Sequence, residues 1–488
     1  MSALKKLLGQ TAVYGLSSIV GRLLNYFLVP LYTYSLPTGE YGMVSELYSY
    51  VALMLALLIY GMETTFFRYS ETEKDSKKVL STSSISILIS TLIFLVLAWT
   101  FKGDIASAMN YQDYQHFISW FIIILGLEVL SSIPFAYLRQ QNKAVTFVSL
   151  KMINIFINLG LNLFFILYCP VVINAGPTHL LYPIVSSFFQ PDSLVQYIFI
   201  SNLIASTITF ILLLPIYRFV RLGFSMVLWK KMIPYALPIL IVNLAGLIPI
   251  SIDKILLDDL YSGGQEEGLK QLGIYSANAK IAVIMMLFIQ TFRYAADPFF
   301  FAEARNKNAK ETYAQVMHYF VIIGSFIFLG VLLFMDVIQH FIGKDYREGF
   351  YVIPILLMAN LMLGIYYNLS FWYKLTNKTI YGAWFSIVGA VIAILLNFIL
   401  VPHYGMLGSA WSVFAAYFVS MMLSYLYGRK YYPIPYKILP IIAYPLIASL
   451  LYLSLRGLDL HLFLRIGIFL LCLGVVFLIE RKRLMKLV

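Results

Sequence analysis

Residues 380–401 read IYGAWFSIVGAVIAILLNFILV, a continuous apolar run without a charged side chain. A helix of about 20 such residues is long enough to cross the hydrocarbon core of a bilayer, which is about 30 Å thick. The backbone finds no water to bond inside that core, so helices are the expected spanning elements. A membrane β-barrel would instead show short segments of alternating polarity. The run therefore predicts a transmembrane helix.

The same pattern recurs along the whole chain of 488 residues, which is 61% hydrophobic and only 12% charged. We predict an all-α integral membrane protein with fourteen transmembrane helices. The first apolar run is long and contains Arg22, Asn25 and Pro30, so it is interpreted as a span rather than a cleaved signal peptide. The predicted spans are 8–34, 41–67, 80–101, 115–138, 145–168, 194–217, 232–257, 273–297, 313–341, 351–373, 380–401, 405–427, 435–455 and 462–480.

Positive charge is distributed according to the predicted membrane topology. Of the 35 Lys and Arg residues, 24 lie in one set of alternate connecting and terminal segments, and five lie in the opposite loops. The positive-inside rule then predicts that both termini are cytoplasmic. There is no Lys or Arg between Lys151 and Arg218, so the longest loop, 169–193, is expected to face outward. Because topology explains the net charge of +12, nucleic acid is not an expected partner.

Sequence signatures of catalysis are missing from the chain. It has only two cysteines, which form neither a disulfide framework nor a metal cluster. We find no phosphate-binding Gly-rich loop and no nucleophile elbow, and no loop is long enough for a separate catalytic domain. The sequence therefore predicts a transporter-like bundle that is not an enzyme, with no metal and no cofactor.

An internal repeat divides the predicted spans. Aligning Gly42 with Gly273 gives an offset of 231, and aligning Asn162 with Asn397 gives an offset of 235. Six spans return the chain to the same side of the membrane, so the halves would be parallel repeats, and substrate sites of such transporters lie between them. The predicted domains are two six-helix lobes and a pair of additional helices, at 1–225, 226–430 and 431–488.

Several short motifs resemble Wzx-type polysaccharide flippases of the multidrug/oligosaccharidyl-lipid/polysaccharide exporter superfamily. They are Gly9-Gln10-Thr11, Gly21-Arg22, Pro30-Leu31, Leu36-Pro37-Thr38-Gly39-Glu40-Tyr41-Gly42 and Pro402-His403-Tyr404-Gly405-Met406-Leu407-Gly408-Ser409-Ala410. The resemblance implies two lobes arranged in a V around a central cavity. It also implies alternating-access transport of an anionic undecaprenyl-pyrophosphate-linked oligosaccharide for lipopolysaccharide O-antigen, capsule or exopolysaccharide synthesis.

The same resemblance implies a location and partners. The expected location is the bacterial cytoplasmic (inner) membrane, where polymerases or glycosyltransferases of the same pathway are candidate partners. A cation-coupled multidrug exporter of the same superfamily is the alternative, although such exporters are expected to have twelve spans and an acidic residue in the first lobe. A membrane polysaccharide polymerase or glycosyltransferase is less favoured, because it would need catalytic carboxylates in a sizeable outward loop. Loop 169–193 supplies only Asp192, and segment 258–272 supplies Asp258, Asp259, Glu266 and Glu267.

Charged and amide side chains inside the first-half spans are candidate substrate ligands, because a charge at the centre of a spanning helix costs about 2.5–3.5 kcal/mol on insertion scales. Arg22 and Asn25 share a face of the first span. Lys151, Asn154 and Asn158 form a stripe on the fifth span that continues to Asn162. The cations would bind phosphate, and the amides would bind sugar hydroxyls. The alternatives are an interhelical salt bridge, helix–helix hydrogen bonds and snorkelling to the surface.

The second half supplies a comparable set. Asn243 and Lys254 share a face of the seventh span, and Lys280 lies in the eighth, so all three are candidate substrate ligands. Arg293 and Asp297 are spaced for an i, i+4 ion pair. The remaining acidic candidates are either ion-pair partners or sites that couple transport to an H⁺ or Na⁺ gradient, and they are Glu63, Glu128 and Asp253.

Overall fold

The computed structural model describes residues 21, 23–191, 193–220, 223–304, 306–458 and 460–484, without the side chains of residues 295, 297, 298 and 482–484. Over this part of the chain the structure contains helices and connecting turns but no β-strand. Thirteen of these helices are long and apolar enough to cross a membrane. They confirm the predicted multi-pass, all-α membrane fold. Most of the first predicted span, 8–34, lies outside the described residues.

The chain divides into two compact units, residues 1–273 and 274–488. The predicted lobe boundaries near residues 225 and 430, and the arrangement of the lobes, stay predictions. The helices of the first unit are α1 (Leu28–Ser35), α2 (Thr38–Ile59), α3 (Met62–Thr72), α4 (Ser76–Thr100), α5 (Lys102–Ala108), α6 (Gln115–Gln140), α7 (Ala144–Leu163), α8 (Cys169–Ala175), α9 (Tyr182–Phe188), α10 (Val195–Tyr217), α11 (Met226–Ile255) and α12 (Leu257–Leu260).

The long helix α13 (Gln265–Glu303) begins in the first unit and continues into the second. The other helices of the second unit are α14 (Ala309–Leu333), α15 (Met335–Ile338), α16 (Ile353–Leu369), α17 (Phe371–Leu375), α18 (Ile380–Tyr404), α19 (Met406–Tyr431), α20 (Ile438–Leu455) and α21 (Leu462–Leu484). A π-helical turn, Phe164–Tyr168, joins α7 to α8.

Each unit has its own apolar core. In the first unit, α3, α4, α6 and α11 contribute Met62, Val79, Val129 and Met232, all completely buried. In the second unit, the buried Trp372 anchors an aromatic cluster that includes side chains of α18 and α19. A fully buried apolar side chain contributes roughly 1.5–3 kcal/mol relative to an exposed one where water is the reference. Lipid-facing helices gain less from burial, so close packing and polar contacts fix their positions.

A glycine interrupts the second predicted span, so that Glu63 lies in the first turn of a new helix. Gly61 has a φ of +74°, and a Cβ at this position would lie 2.6 Å from the carbonyl oxygen of Ala236. Only glycine combines this left-handed conformation with so close an approach to another backbone. Helix α2 therefore ends at Ile59, and α3 restarts at Met62 with Glu63 in its first turn.

Candidate functional site

A cavity of about 350 Å³ lies within the first unit, between helices α2, α3, α6, α7 and α10. Nine of its thirteen lining residues are polar, in a set of helices whose composition is predominantly apolar. Four of the predicted site residues line it together, namely Glu63, Glu128, Lys151 and Asn154. The cavity is therefore the place where the structure brings predicted functional residues together.

One ion pair closes part of the cavity wall. The Nη2 atom of Arg139 lies 2.9 Å from Oε2 of Glu63, and each side chain is about one-third exposed, at 35% and 34%. The guanidinium also lies 5.0 Å from the ring centre of Phe67 and 5.7 Å from that of Phe147. Glu63 is thus neutralised by a partner on another helix, which joins α3 to α6.

Lys151 differs from Arg139, because the described part of the chain gives it no direct counterion. Its ammonium lies 4.2 Å from the ring centre of Phe135, and Glu128 and Glu63 act on it only through longer-range electrostatic attraction. Among the described residues, no carboxylate reaches ion-pair distance from it. A cation held against an aromatic ring gains roughly 0.5–2 kcal/mol, which leaves most of its capacity to attract an anion.

Hydrogen bonds position the neutral polar groups of the cavity. Asn154 donates from Nδ2 to Oγ1 of Thr209 at 2.9 Å. Ser206 lies 3.4 Å from Oε1 of Glu128, and it also donates to Asn202 at 3.2 Å. Helix α10 therefore supports both the amide and the carboxylate that line the cavity.

The rest of the predicted stripe on α7 has a different environment. Asn162 is completely buried, donates to the carbonyl oxygen of Asn158 at 2.8 Å, and accepts from the hydroxyl of Tyr32 at 2.9 Å. Neither amide lines the cavity. The stripe is therefore divided, because its first two members face the cavity while Asn162 bonds to a neighbouring helix.

Helix α11 carries the candidate ligand Lys254, which the structure places in an ion pair. Its Nζ lies 3.0 Å from Oδ1 of the buried Asp253 and donates to the carbonyl oxygen of Ile250 at 2.8 Å. Neighbouring positions on a helix do not normally face each other, but the long lysine side chain folds back along the end of α11. Asn243 is exposed on the same helix, and none of these residues lines the cavity.

The remaining candidates lie elsewhere. Lys280 and Arg293 belong to the second unit, where the guanidinium of Arg293 lies 4.0 Å from the ring centre of Tyr367. The predicted ion pair of Arg293 with Asp297 falls on a side chain outside the described residues, as does Arg22. Asn25 is exposed in the helical stretch before α1.

Several cavity residues were missed by the sequence interpretation. Arg139 is one of the 24 cations that the positive-inside rule explains, so the sequence does not single it out. The helical spacing of Glu128, Ser132, Phe135 and Arg139 on α6 is a signal that could have found this face. The spacing of Ser206 and Thr209 on α10 is a weaker version of the same signal.

The cavity offers charged and neutral polar groups that can recognise a ligand. It combines one cation without a direct counterion, one ion pair, one further carboxylate, and amide and hydroxyl groups. Within the described ranges, no group of three or more His, Cys, Asp or Glu side chains could hold a metal ion. Such a set suits an anionic ligand that also carries hydroxyl groups.

Comparison with known proteins identifies relatives over most of the chain. The family model described as "Polysaccharide biosynthesis protein" matches residues 7–302, more than half of the sequence. The capsular polysaccharide biosynthesis protein CapF of Staphylococcus aureus is 22% identical over 401 residues, which are 80% of this chain and 90% of CapF.

Solved structures share the fold. The lipid II flippase MurJ in an inward closed conformation has a TM-score of 0.67 at 12% identity, covering 98% of this chain and 100% of MurJ. A multidrug resistance MATE family transporter of the MOP superfamily, in an inward-facing conformation, has a TM-score of 0.62 at 14% identity, covering 89% of this chain and 95% of the transporter. At such low identity, the likeness establishes a common architecture.

Proposed function

Because the chain belongs to the polysaccharide biosynthesis protein family, we propose that it is a flippase for an anionic lipid-linked glycan. The substrate class is an undecaprenyl-pyrophosphate-linked oligosaccharide, a precursor of a surface polysaccharide such as capsule. The proposal places the protein in the cytoplasmic membrane with both termini inside, and transport proceeds by alternating access. The family match, the multi-pass fold and the polar cavity support it.

The single observation that carries the proposal is the position of Lys151. It is an exposed cation that lines a cavity among membrane-spanning helices, without a direct ion pair in the described part of the chain. Two unit charges 4 Å apart attract by about 4 kcal/mol at an effective dielectric constant of 20, compared with about 1 kcal/mol in water. A pyrophosphate group entering the cavity supplies the missing counterion.

The neutral groups suit the glycan part of the substrate. Asn154, Ser131 and Ser132 present amide and hydroxyl groups to the same space, and sugar hydroxyls can both donate to and accept from them. Phe135 and Phe147 provide apolar surface beside these groups. The cavity of about 350 Å³ has room for a pyrophosphate and the first sugar, and the polyprenyl tail stays in the lipid.

We place any coupling to an ion gradient at Glu128. Glu63 is paired with Arg139 and Asp253 with Lys254, so each already has a countercharge. Among the described residues, the partners of Glu128 are the hydroxyl of Ser206 at 3.4 Å and a more distant Lys151. When a pyrophosphate occupies Lys151, Glu128 loses that electrostatic compensation and takes up a proton.

Complementation of a strain that lacks the gene tests the proposal. Lys151→Ala should reduce surface glycan at least about tenfold, since losing one charged contact costs about 1.4 kcal/mol or more. Lys151→Arg should retain much of the activity. Lys143→Ala is the matched control, because it removes an exposed cation just before the same helix without touching the cavity. Normal glycan display by a Lys151→Ala protein present at wild-type level would refute the proposal.

The second candidate function is cation-coupled multidrug export. The observation that favours it is the acidic Glu128 in the same cavity, in a chain that shares the architecture of a MATE transporter. Under this alternative, overexpression raises drug resistance and Glu128→Gln abolishes it, while surface glycan is unchanged by deletion of the gene. Loss of glycan without a change in drug resistance favours the flippase.

A further inference from the structure

A second acidic site lies in the first unit, apart from the cavity. Glu46 of α2, Tyr111 of the connector between α5 and α6, and Asp258 of α12 come from three separate segments of the chain. The hydroxyl of Tyr111 donates a hydrogen bond to Oε2 of Glu46. The charge of Asp258 acts on both Glu46 and Tyr111, so the three groups form one cluster. On the predicted topology, all three lie on the outer side of the membrane.

These groups are almost completely removed from solvent. The exposed fractions of Glu46, Tyr111 and Asp258 are 1%, 2% and 2%. Helix α13 closes the site from another side, because Gly268 lies so near α12 that a Cβ there would be 2.6 Å from Cα of Asp258. Burial of an ionised carboxylate without a partner costs several kcal/mol in proteins.

Asp258 points to a missing ligand. Both of its carboxyl oxygens are buried, and none of the described residues gives either oxygen a hydrogen bond of ordinary geometry. The backbone amides of Asp258 and Asp259 are near enough to favour the ionised form, but they do not meet that geometry. A buried polar atom of this kind calls for a specific explanation, such as an unseen ion or a functional role.

No cation compensates the cluster within the described part of the chain. The charged and titratable neighbours that act on it are Asp259, beside Asp258, and Tyr50, one turn after Glu46. On α13, Lys270 is already paired with Glu266 at 2.9 Å and lies 3.9 Å from Glu267. Two neighbouring buried carboxylates cannot both stay ionised at low cost, so one keeps a proton.

Burial has the same consequence for the pKa values of the two groups outside the membrane-spanning helices, Asp258 and Tyr111. Burial, and then the charge of Asp259, raises the pKa of Asp258 to about 7. Burial and the carboxylates of Glu46 and Asp258 raise the pKa of Tyr111 well above its usual value. The phenol therefore stays protonated and remains a donor to Glu46.

We propose that Glu46 and Asp258 form a buried acidic site that keeps a proton on one of its two carboxyl groups, with Tyr111 donating to Glu46. A proton fits better than a metal ion, because no described group of three or more His, Cys, Asp or Glu residues could hold a metal. The site is separate from the transport cavity and does not depend on the proposed substrate. While the proton is bound, it removes the charge repulsion between the carboxyl groups of α2 and α12.

Infrared difference spectroscopy of the full-length protein in lipid nanodiscs tests the site directly. Between about pH 5 and about pH 9, the wild type should lose the C=O stretching band of a buried protonated carboxyl group. Asp258→Asn should remove that pH-dependent band. Asp259→Asn is the matched control, since it changes an adjacent and exposed carboxylate and should leave the band in place.

Two results would overturn the proposal. One is a wild-type spectrum without a protonated-carboxyl band over this range, which needs no variant to fold. The other is an unchanged band in Asp258→Asn or, if that protein is unstable, in Glu46→Gln. Sodium is distinguished by repeating the titration in choline and in Na⁺ buffers of equal ionic strength. A band that Na⁺ abolishes at constant pH would assign the site to that ion instead.

Discussion

Gly42 of α2 and Gly273 of α13 lie face to face where their helices cross. A Cβ on Gly42 would lie 2.1 Å from the carbonyl oxygen of Leu269, and a Cβ on Gly273 would lie 1.8 Å from that of Thr38. Gly42 and Gly273 are 231 positions apart, and so are Thr38 and Leu269. Residues that correspond in the sequence repeat thus contact each other in a reciprocal way. Small residues permit such close approach of membrane helices.

The crossing gives a prediction about stability. Gly42→Ala should destabilise the protein by about 1–3 kcal/mol or more, because the added methyl group meets a backbone carbonyl that cannot move aside. Gly39→Ala is the matched control, because its Cβ would be 3.8 Å from the nearest side-chain atom, Cγ of Lys270. Thermal unfolding in detergent measures both variants. Equal melting temperatures for them would show that the two helices can separate without cost.

The sequence singles out Lys151, which lines the cavity, but it does not reveal the partner of Lys254. A cation in an apolar span is costly wherever its helix packs, so its presence alone signals a cavity or a partner. Whether such a cation has a partner depends on the direction of its side chain. Helical spacing does not predict that the side chain of Lys254 bends toward Asp253. Arg139 was missed for the opposite reason, because a cation near a cytoplasmic helix end satisfies the topology rule and attracts no attention.

The break in the second span was also beyond the sequence. Residues 41–67 are apolar enough to read as one helix, and an isolated glycine in such a run is usually tolerated. The left-handed turn at Gly61 is required by the close carbonyl of Ala236, which belongs to a helix 175 residues later in the chain. Hydropathy therefore predicts that a helix spans the membrane, while tertiary contacts decide where it bends.

Glu480 should hold the last helix to the second unit. Among the side chains of α21 that the structure describes, it alone is buried. Its Oε1 accepts from the hydroxyl of Tyr444 at 2.8 Å and lies 3.1 Å from Nε2 of His318. Glu480→Leu should cost about 1–3 kcal/mol, because those polar groups lose their bonds to it.

The matched control for Glu480 is Glu311→Leu, which changes an exposed acid on α14, the helix that carries His318. Thermal unfolding in nanodiscs should separate the two variants clearly, with Glu480→Gln between them because it keeps an acceptor. If Glu480→Leu unfolds at the wild-type temperature, apolar contacts such as those of Phe469 with Phe326 and Phe334 hold the helix instead.

The stability of the protein should fall as the pH rises through the range set by Asp258. The pKa of Asp258 is about 7 in the folded protein, whereas its ordinary value is 3.8. Between these two pH values the folded state therefore binds more protons than the unfolded state. The free energy of unfolding therefore falls by a total on the order of 4 kcal/mol as the pH rises, and it levels off above about pH 7. Asp258→Asn should abolish this slope and raise the melting temperature at about pH 8.

The control for the pH prediction is Asp259→Asn, which should keep most of the slope because that carboxylate is exposed. The measurement is a series of melting curves at constant ionic strength. A wild-type melting temperature that rises with pH over this interval would have the wrong sign for a buried acid and would contradict the assignment.

The ion pair of Glu63 and Arg139 predicts how cavity charge controls anion binding. Glu63→Gln leaves the cation of Arg139 without its 2.9 Å partner and adds one positive charge to the cavity. Binding of undecaprenyl pyrophosphate should tighten by on the order of 1 kcal/mol, about fivefold in Kd, and Arg139→Gln should weaken it by a similar factor.

The double variant Glu63→Gln, Arg139→Gln is the decisive control, because it restores the wild-type net charge of the cavity while removing both groups. Its Kd should return to within about twofold of the wild-type value, and added salt should reduce the differences between the single variants. Titration with undecaprenyl pyrophosphate in nanodiscs measures the Kd of the wild type, the two single variants and the double variant. If the double variant binds the anion as weakly as Arg139→Gln does, the guanidinium contacts the anion directly rather than setting the charge around Lys151.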